Sequence, residues 1–234
     1  MPFRSMKLLR VGGISLELHP TFYLLPLYVA VLGWFDEGLR GVWTGLLALA
    51  LVYISVVLHE FGHALTARRL GIGVRHIVLT PVGGMALLEQ LPRNPVKELL
   101  IVVAGPAVNF VIAGICVSLL HGWPAHLDEI YDVSLRPASL LRYLLQANLM
   151  LGLFNLLPAF PMDGGRIVRA LLALGMDYVS ATYWAMMIGR VVAVTCIVLA
   201  LFAGSYMLVV LFMFILVLGT WEFRHVLQQE LQNG

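Results

Sequence analysis

Residues 58–70 read LHEFGHALTARRL and continue without a break from residues 41–58, GVWTGLLALALVYISVVL. The upstream run carries no charge and is about long enough to cross a hydrocarbon core of roughly 30 Å as a helix. Two histidines, His59 and His63, and one glutamate, Glu60, therefore arrive at the end of a helix surrounded by lipid. Ionisable groups at such a depth are expensive without partners, and by default they mark a functional site. Residues four apart stack on one helix face with about 6 Å between them, so both imidazoles can reach one ion. The plainer alternative turns the histidines to headgroup water and leaves Glu60 solvated.

An HExxH segment on a helix supports a defined chemistry. The imidazoles hold zinc, and the glutamate between them takes a proton from the bound water. Catalytic zinc also needs a third protein ligand and one open position. Asp163, in residues 155–165 NLLPAFPMDGG, is the candidate. If the helix before it runs from the outer to the cytoplasmic side, MDGG reaches the depth of His59 and His63. Charge favours the set: two neutral imidazoles, one carboxylate and a hydroxide balance a dication where the dielectric is low. Asp163 equally suits the N-cap of a helix beginning near Gly165, and the two roles are compatible. Gly164 and Gly165 fit a close backbone approach to metal or substrate, or a simple turn. Asn155 could hydrogen-bond a developing oxyanion or a substrate carbonyl, or could join two helices. Asn109, in residues 105–110 GPAVNF, offers the same alternatives, with Gly105 and Pro106 permitting a kink and close packing.

At 234 residues, 60% hydrophobic and 12% charged, with a mean hydropathy of +0.90, the chain is far more apolar than a soluble domain. The expected class is an all-α polytopic membrane protein with about six transmembrane helices and a small interfacial β-sheet. It forms one membrane-embedded domain over residues 1–234. A net charge of +2 supplies no field for nucleic acid. Cys116 and Cys196 each stand alone in apolar surroundings, which argues against a disulfide framework or a thiolate zinc site.

Helices are expected near residues 21–35, 42–70, 96–120 and 137–157, with a short one near 165–174. The apolar stretch 178–221 exceeds one crossing and divides at Ala203, Gly204 and Ser205. The basic start could suggest a signal peptide, but Asp36 and Glu37 follow Phe35 where a small-residue cleavage site would stand. Ile14, Leu16 and Leu18 alternate with polar residues as in a strand, and 74–80 with 84–89 reads as a hairpin that can pair with it. An open strand edge cannot face lipid tails, so this sheet belongs at the interface. Residues 128–132, with Asp128, Glu129 and Asp132, form an acidic loop. An even number of crossings puts both termini on one side. Arg4, Lys7, Arg10, Arg68, Arg69, Arg75, Arg93, Lys97, Arg166, Arg169 and Arg224 fall there, against Arg40, Arg136 and Arg142 opposite, while Arg190 lies within a helix. The positive-inside rule makes that side cytoplasmic. His19, His76, His121, His126 and His225 lack ligand spacing and read as ordinary surface or interface histidines.

Together, HEFGH late in a membrane helix and NLLPAFPMDGG well downstream resemble the site-2 protease family of zinc intramembrane proteases. LELHPTF near the N-terminus, PVGG in the strand region and GPAVN in the third helix resemble that family's accompanying patterns. The resemblance implies His59, His63 and Asp163 as ligands of one zinc ion per chain and Glu60 as the catalytic acid/base. It further implies that Asn155 assists the substrate or transition state. The form expected is compact, without a PDZ-like insertion or a C-terminal regulatory domain.

The expected activity is hydrolysis of a peptide bond within, or near the cytoplasmic end of, a substrate's transmembrane helix, as in regulated intramembrane proteolysis. The expected partners are a single-span membrane protein substrate and the lipid bilayer of the cytoplasmic membrane, with no nucleic acid. A helical substrate must unwind before its carbonyls can react, and the edge from Gly83 and Gly84 to Leu88 could hold the extended segment as an added strand. The competing reading is a non-proteolytic membrane zinc-binding or transport protein. A transporter would spread polar ligands along a path across the membrane, whereas these cluster at one depth. A soluble-type zincin merely anchored to the membrane has no extramembrane stretch long enough to hold it.

Overall fold

A computed structural model of the chain describes residues 5–81, 83–89, 92–121 and 137–233. Its elements in order are β1 (Met6–Val11), β2 (Ile14–Leu18), α1 (Leu24–Glu37), α2 (Leu39–Arg69), β3 (Val74–Thr80), β4 (Gly83–Leu88), α3 (Pro95–Leu119), α4 (Pro137–Asn155), α5 (Asp163–Leu172), α6 (Tyr178–Phe202) and α7 (Tyr206–Asn233). The acidic loop with Asp128, Glu129 and Asp132, together with Arg4, His126 and Arg136, lies outside the described residues. Contacts gather the chain into two compact units, Met1–Leu91 with Ala104–Gly152, and Pro92–Val103 with Leu153–Gly234.

In the first unit the strands form one sheet in the order β1-β2-β3-β4. The outer pairs are antiparallel and the central β2–β3 pair is parallel. Alternation decides which face is buried: Ile14, Leu16 and Leu18 of β2 join Ile77 and Leu79 of β3 against Val56 and Ala64 of α2. Tyr53 fixes the register of helix on sheet by donating its hydroxyl to the Thr80 carbonyl at 2.8 Å. The expected hairpin and its pairing with Ile14–Leu18 are present, with β4 starting one residue earlier than the spacing suggests. Strand β1 is not anticipated, because MKLLRV reads as a basic leader and all of its residues are exposed. Its turn is made by Gly12 and Gly13, both at positive φ (56° and 87°), the Gly-Gly pair that tight hairpins favour. Arg68 at the end of α2 donates to the Gly12 carbonyl and ties this turn down.

Helix α1 meets α2 through glycines. A Cβ on Gly33 or on Gly41 would run into the backbone of the other, so the helices touch main chain to main chain. α2 has 31 residues and at about 1.5 Å per residue is roughly 46 Å long, well beyond a hydrocarbon core.

In the second unit, α6 and α7 pack antiparallel around a break at Gly204, whose φ of 68° is the left-handed turn expected between residues 203 and 205. α7 then runs on to Asn233, past the apolar stretch. Arg169 of α5 is 1% exposed. Its guanidinium donates to Glu98 from Nε at 2.9 Å and from Nη2 at 2.5 Å, and to Glu222 from Nη1 at 3.1 Å. The rings of Tyr178 and Phe160 lie 5.0 and 5.2 Å from it. Two carboxylates and two aromatic faces replace the water that such a charge needs.

Among the described residues, four helices are long and apolar enough to cross a membrane: α2, α3, α6 and residues Tyr206–Gln228 of α7. The chain is an integral membrane protein, mostly helical with one small sheet. α1 has 14 residues and α4 has 19, the latter interrupted by Arg142, Gln146 and Asn148, so neither matches a full apolar span.

Candidate metal centre

The C-terminal half of α2 carries His59, Glu60 and His63, all buried in spite of their polarity. Two glycines make that possible. A Cβ at Gly62 would stand 2.6 Å from the Ala104 carbonyl, so its absence lets α3 lie directly on α2. A Cβ at Gly105 would overlap the His63 ring and come within 2.7 Å of His59 Nε2. The imidazoles thus occupy the space that a side chain on α3 would otherwise fill. From the sequence alone, Gly105 reads as permitting a kink and close packing. Its specific partner is invisible without knowing which face of α3 meets the histidines.

The two Nε2 atoms lie 3.1 Å apart, with the rings edge-to-face at 84°. Two nitrogens at about 2.05 Å from one tetrahedral ion are roughly 3.3 Å apart, so the spacing fits a shared zinc with little adjustment. His59 Nδ1 and Asn109 Oδ1 are 2.6 Å apart. An amide oxygen only accepts, so Nδ1 carries the proton and Nε2 presents its lone pair to the site. Asn109 therefore holds His59 through its side-chain oxygen, and the residue is 0% exposed.

Glu60 points to the sheet. Its Oε2 accepts the Ala86 N–H at 2.9 Å. A Cβ at Gly84 would come within 2.6 Å of Glu60 Cγ, so the glutamate lies across β4 where that strand has no side chain. β4 is the last strand in the sheet order, and the carboxylate sits beside its backbone. Gly83 opens the strand at a φ of 141°, with its carbonyl accepting from Thr80 Oγ1 at 3.0 Å. His59, His63, Glu60, Asn109 and Gly84 are brought together within the first unit.

Asp163 and Asn155 belong to the second unit. Asp163 is buried and is the first residue of α5, not its cap. Met162 occupies the N-cap position with extended φ and ψ and no side-chain cap bond. The N-cap alternative therefore does not hold, because the helix begins two residues earlier than expected, at Asp163. A carboxylate in the first turn is still favoured by the helix dipole. Gly164 and Gly165 serve a close approach, but to their own chain: a Cβ at Gly164 would collide with the carbonyls of Leu156 and Leu157, and one at Gly165 would stand 2.6 Å from Phe160 N. They let α5 start tightly against the PAFP loop, which contains a cis Phe160–Pro161 bond. Asn155 ends α4 and is half-buried. Among the other histidines, His19 Nδ1 lies 2.7 Å from Thr21 Oγ1, His76 lies in β3, and His225 stacks on Trp221 at 5.5 Å.

Comparisons with known proteins give one consistent answer. The model of Peptidase family M50 matches residues 47–134 and 125–199. A zinc metalloprotease of Methanocaldococcus jannaschii is 36% identical over 211 residues, covering 90% of this chain and 58% of that protein. Stage IV sporulation protein FB of Bacillus subtilis is 27% identical over 175 residues, 72% of this chain and 51% of its own length. The chain thus spans little more than half the length of these curated relatives. The solved site-2 protease from Methanocaldococcus jannaschii superposes with a TM-score of 0.66 at 33% identity, covering 94% of this chain and 95% of that one. The matched stretches run from the first third of α2 almost to the end of α6 and take in both HEFGH and MDGG, which places this chain in the site-2 protease family, peptidase family M50.

Proposed function

We propose that the protein is an intramembrane zinc endopeptidase, cleaving a peptide bond within or near the cytoplasmic end of a substrate's transmembrane helix. The observation that carries this reading is the pairing of His59 Nε2 and His63 Nε2 at 3.1 Å, in a recess opened by Gly105, with Glu60 adjoining on the same helix. The family's named zinc metalloproteases supply the metal's identity. We assign Asp163 as the third ligand, supported by its burial at the start of α5 and by its place in NLLPAFPMDGG.

Zinc, when bound, acts as a Lewis acid that lowers the pKa of water towards about 7 and polarises a carbonyl. The chain's own residues do the rest. Glu60 takes a proton from water as the water oxygen bonds to the carbonyl carbon. It returns that proton to the amide nitrogen as the C–N bond breaks, so water is added across the peptide bond with nothing left over. The Ala86 N–H holds the carboxylate in place while it is an acceptor. Asn155 assists the substrate carbonyl, and the outer edge of β4 from Gly83 to Leu88 takes the unwound segment as an added strand.

The surrounding architecture belongs to the same proposal. Six crossings, counting α1 and α4 as short ones beside the four long helices, put both termini in the cytoplasm. Residues 1–234 act as one catalytic module in the cytoplasmic membrane on single-span substrates. The decisive experiment purifies the protein in detergent, measures bound metal, and offers it a panel of single-span proteins beside the Glu60→Gln variant. Cleavage by the native protein alone, with zinc lost in Asp163→Ala, is the expected result. Equal cleavage by both overturns the catalytic role of Glu60, and full zinc retention by Asp163→Ala overturns the third ligand.

A further inference from the structure

Two polar side chains outside the recognised motifs, Asn148 on α4 and Ser55 on α2, extend the contact between His59 and Asn109. Asn109 Nδ2 donates to Asn148 Oδ1 at 2.9 Å. Asn148 Nδ2 donates to Ser55 Oγ at 3.0 Å and to the backbone carbonyl of Leu144 at 2.9 Å. The Ser55 hydroxyl donates onward to the Leu51 carbonyl at 3.0 Å. Both asparagines are 0% exposed, so solvent offers neither of them a substitute partner.

The direction of every bond in this series follows from its far end. A backbone carbonyl can only accept, so the part of Asn148 that meets Leu144 must be its NH2 group. That choice turns the Asn148 oxygen towards Asn109, which must answer with an N–H. Asn109 then has only its own oxygen to offer His59, and Nδ1 of the imidazole must bear the proton. With the other orientation of Asn148, two carbonyl oxygens would face each other in a dry interior, and an unmade bond there costs about 1–3 kcal/mol. The tautomer of His59 is thus dictated from a main-chain carbonyl on α4, three hydrogen bonds away.

We infer that Asn148, acting through Asn109, is a positioning residue that holds His59 in its Nδ1–H form and thereby sets how tightly the centre binds zinc. The inference rests on the reading of His59 as a zinc ligand. Groups that orient a ligating histidine through its other ring nitrogen typically change metal affinity by about 10- to 100-fold. Ser55 plays a different part. Removing its hydroxyl deletes one acceptor for Asn148, yet Leu144 still dictates which way the amide faces.

The test uses the full chain in detergent, loaded with zinc and titrated with a chromophoric chelator, with thermal unfolding recorded for each variant. Asn148→Asp keeps the size of the side chain but puts an oxygen where Leu144 demands a donor. It is expected to weaken zinc binding about 10- to 100-fold. Ser55→Ala is expected to stay within about threefold of the native protein, since the orienting bond survives. Unchanged affinity in Asn148→Asp, or an equal loss in both variants, overturns the proposal. Nitrogen-15 spectra of histidine-labelled, zinc-loaded native protein give a reading that needs no variant: His59 should show a proton on Nδ1 and the metal on Nε2, and the reverse overturns the proposal. His59→Ala separates the two levels. If it binds zinc as the native protein does, the metal-site reading fails; if it loses zinc while Asn148→Asp does not, only the relay fails.

Discussion

Gly105→Ala tests the geometry of the centre with a single methyl group. In the native structure that methyl would overlap the His63 ring and stand 2.7 Å from His59 Nε2. A comfortable carbon-to-ring contact is about 3.5 Å, so His59 would have to retreat by roughly 0.8 Å. Ligand distances in a zinc site tolerate about 0.2 Å, so this displacement pulls a nitrogen out of the coordination sphere. Overpacking of this kind costs about 1–3 kcal/mol, which corresponds to roughly 5- to 150-fold in zinc affinity if it falls on the bound state. Helix propensity works the other way, since alanine is favoured over glycine by about 1 kcal/mol in a helix interior. Gly114, on the same helix with nothing near its missing Cβ, isolates that contribution. Chelator competition on Gly105→Ala and Gly114→Ala, with unfolding temperatures for both, should therefore diverge. Gly105→Ala should lose zinc while remaining folded, and Gly114→Ala should match the native affinity. Native zinc binding by Gly105→Ala would show that the imidazoles do not lie where α3 confines them, and the paired-histidine argument would fall with it.

Two further outcomes follow from the second unit. Arg169→Met leaves Glu98 and Glu222 without the guanidinium that compensates them, and should destabilise the protein by about 3–5 kcal/mol in thermal unfolding. The double variant with Glu98→Gln should recover part of that loss, and additivity of the two changes would refute the ion pair. Asp177 caps α6 by accepting the Ser180 N–H at 2.8 Å, which holds its carboxyl below the ordinary value of 3.8. A lowered folded pKa means that the cap's contribution is complete above that ordinary value and fades as pH falls through the lowered one. The stability gap between native protein and Asp177→Ala should therefore be constant from neutral pH to about 5 and close in stronger acid. A gap that widens on acidification would contradict the cap.

Much of this architecture is legible along the chain because it is local. The apolar run into HEFGH, the alternation of Ile14, Leu16 and Leu18, and the Gly204 break each declare themselves within a few residues. What escapes is whatever depends on a distant partner. β1 looks like a basic leader because its residues are all exposed, so no buried alternation marks it. Only the Gly12–Gly13 pair betrays the turn. Arg169 follows Asp163 and Arg166 in a run that reads as a cytoplasmic face, and nothing near it in sequence announces Glu98 or Glu222.

The metal centre divides along the same line. Candidate ligands at i and i+4 are readable because one helix supplies both, whereas their support comes from α3 and α4. Asn109 and Asn148 are visible in the sequence as amides in apolar helices, but an amide carries both a donor and an acceptor, and its spelling does not say which end faces where. The Leu144 carbonyl removes that ambiguity for Asn148, and each bond after it removes the next. The chemistry proposed for two histidines and a glutamate therefore depends on orientations that no motif encodes. Substitutions at Asn148 should consequently act on metal affinity before they act on the fold.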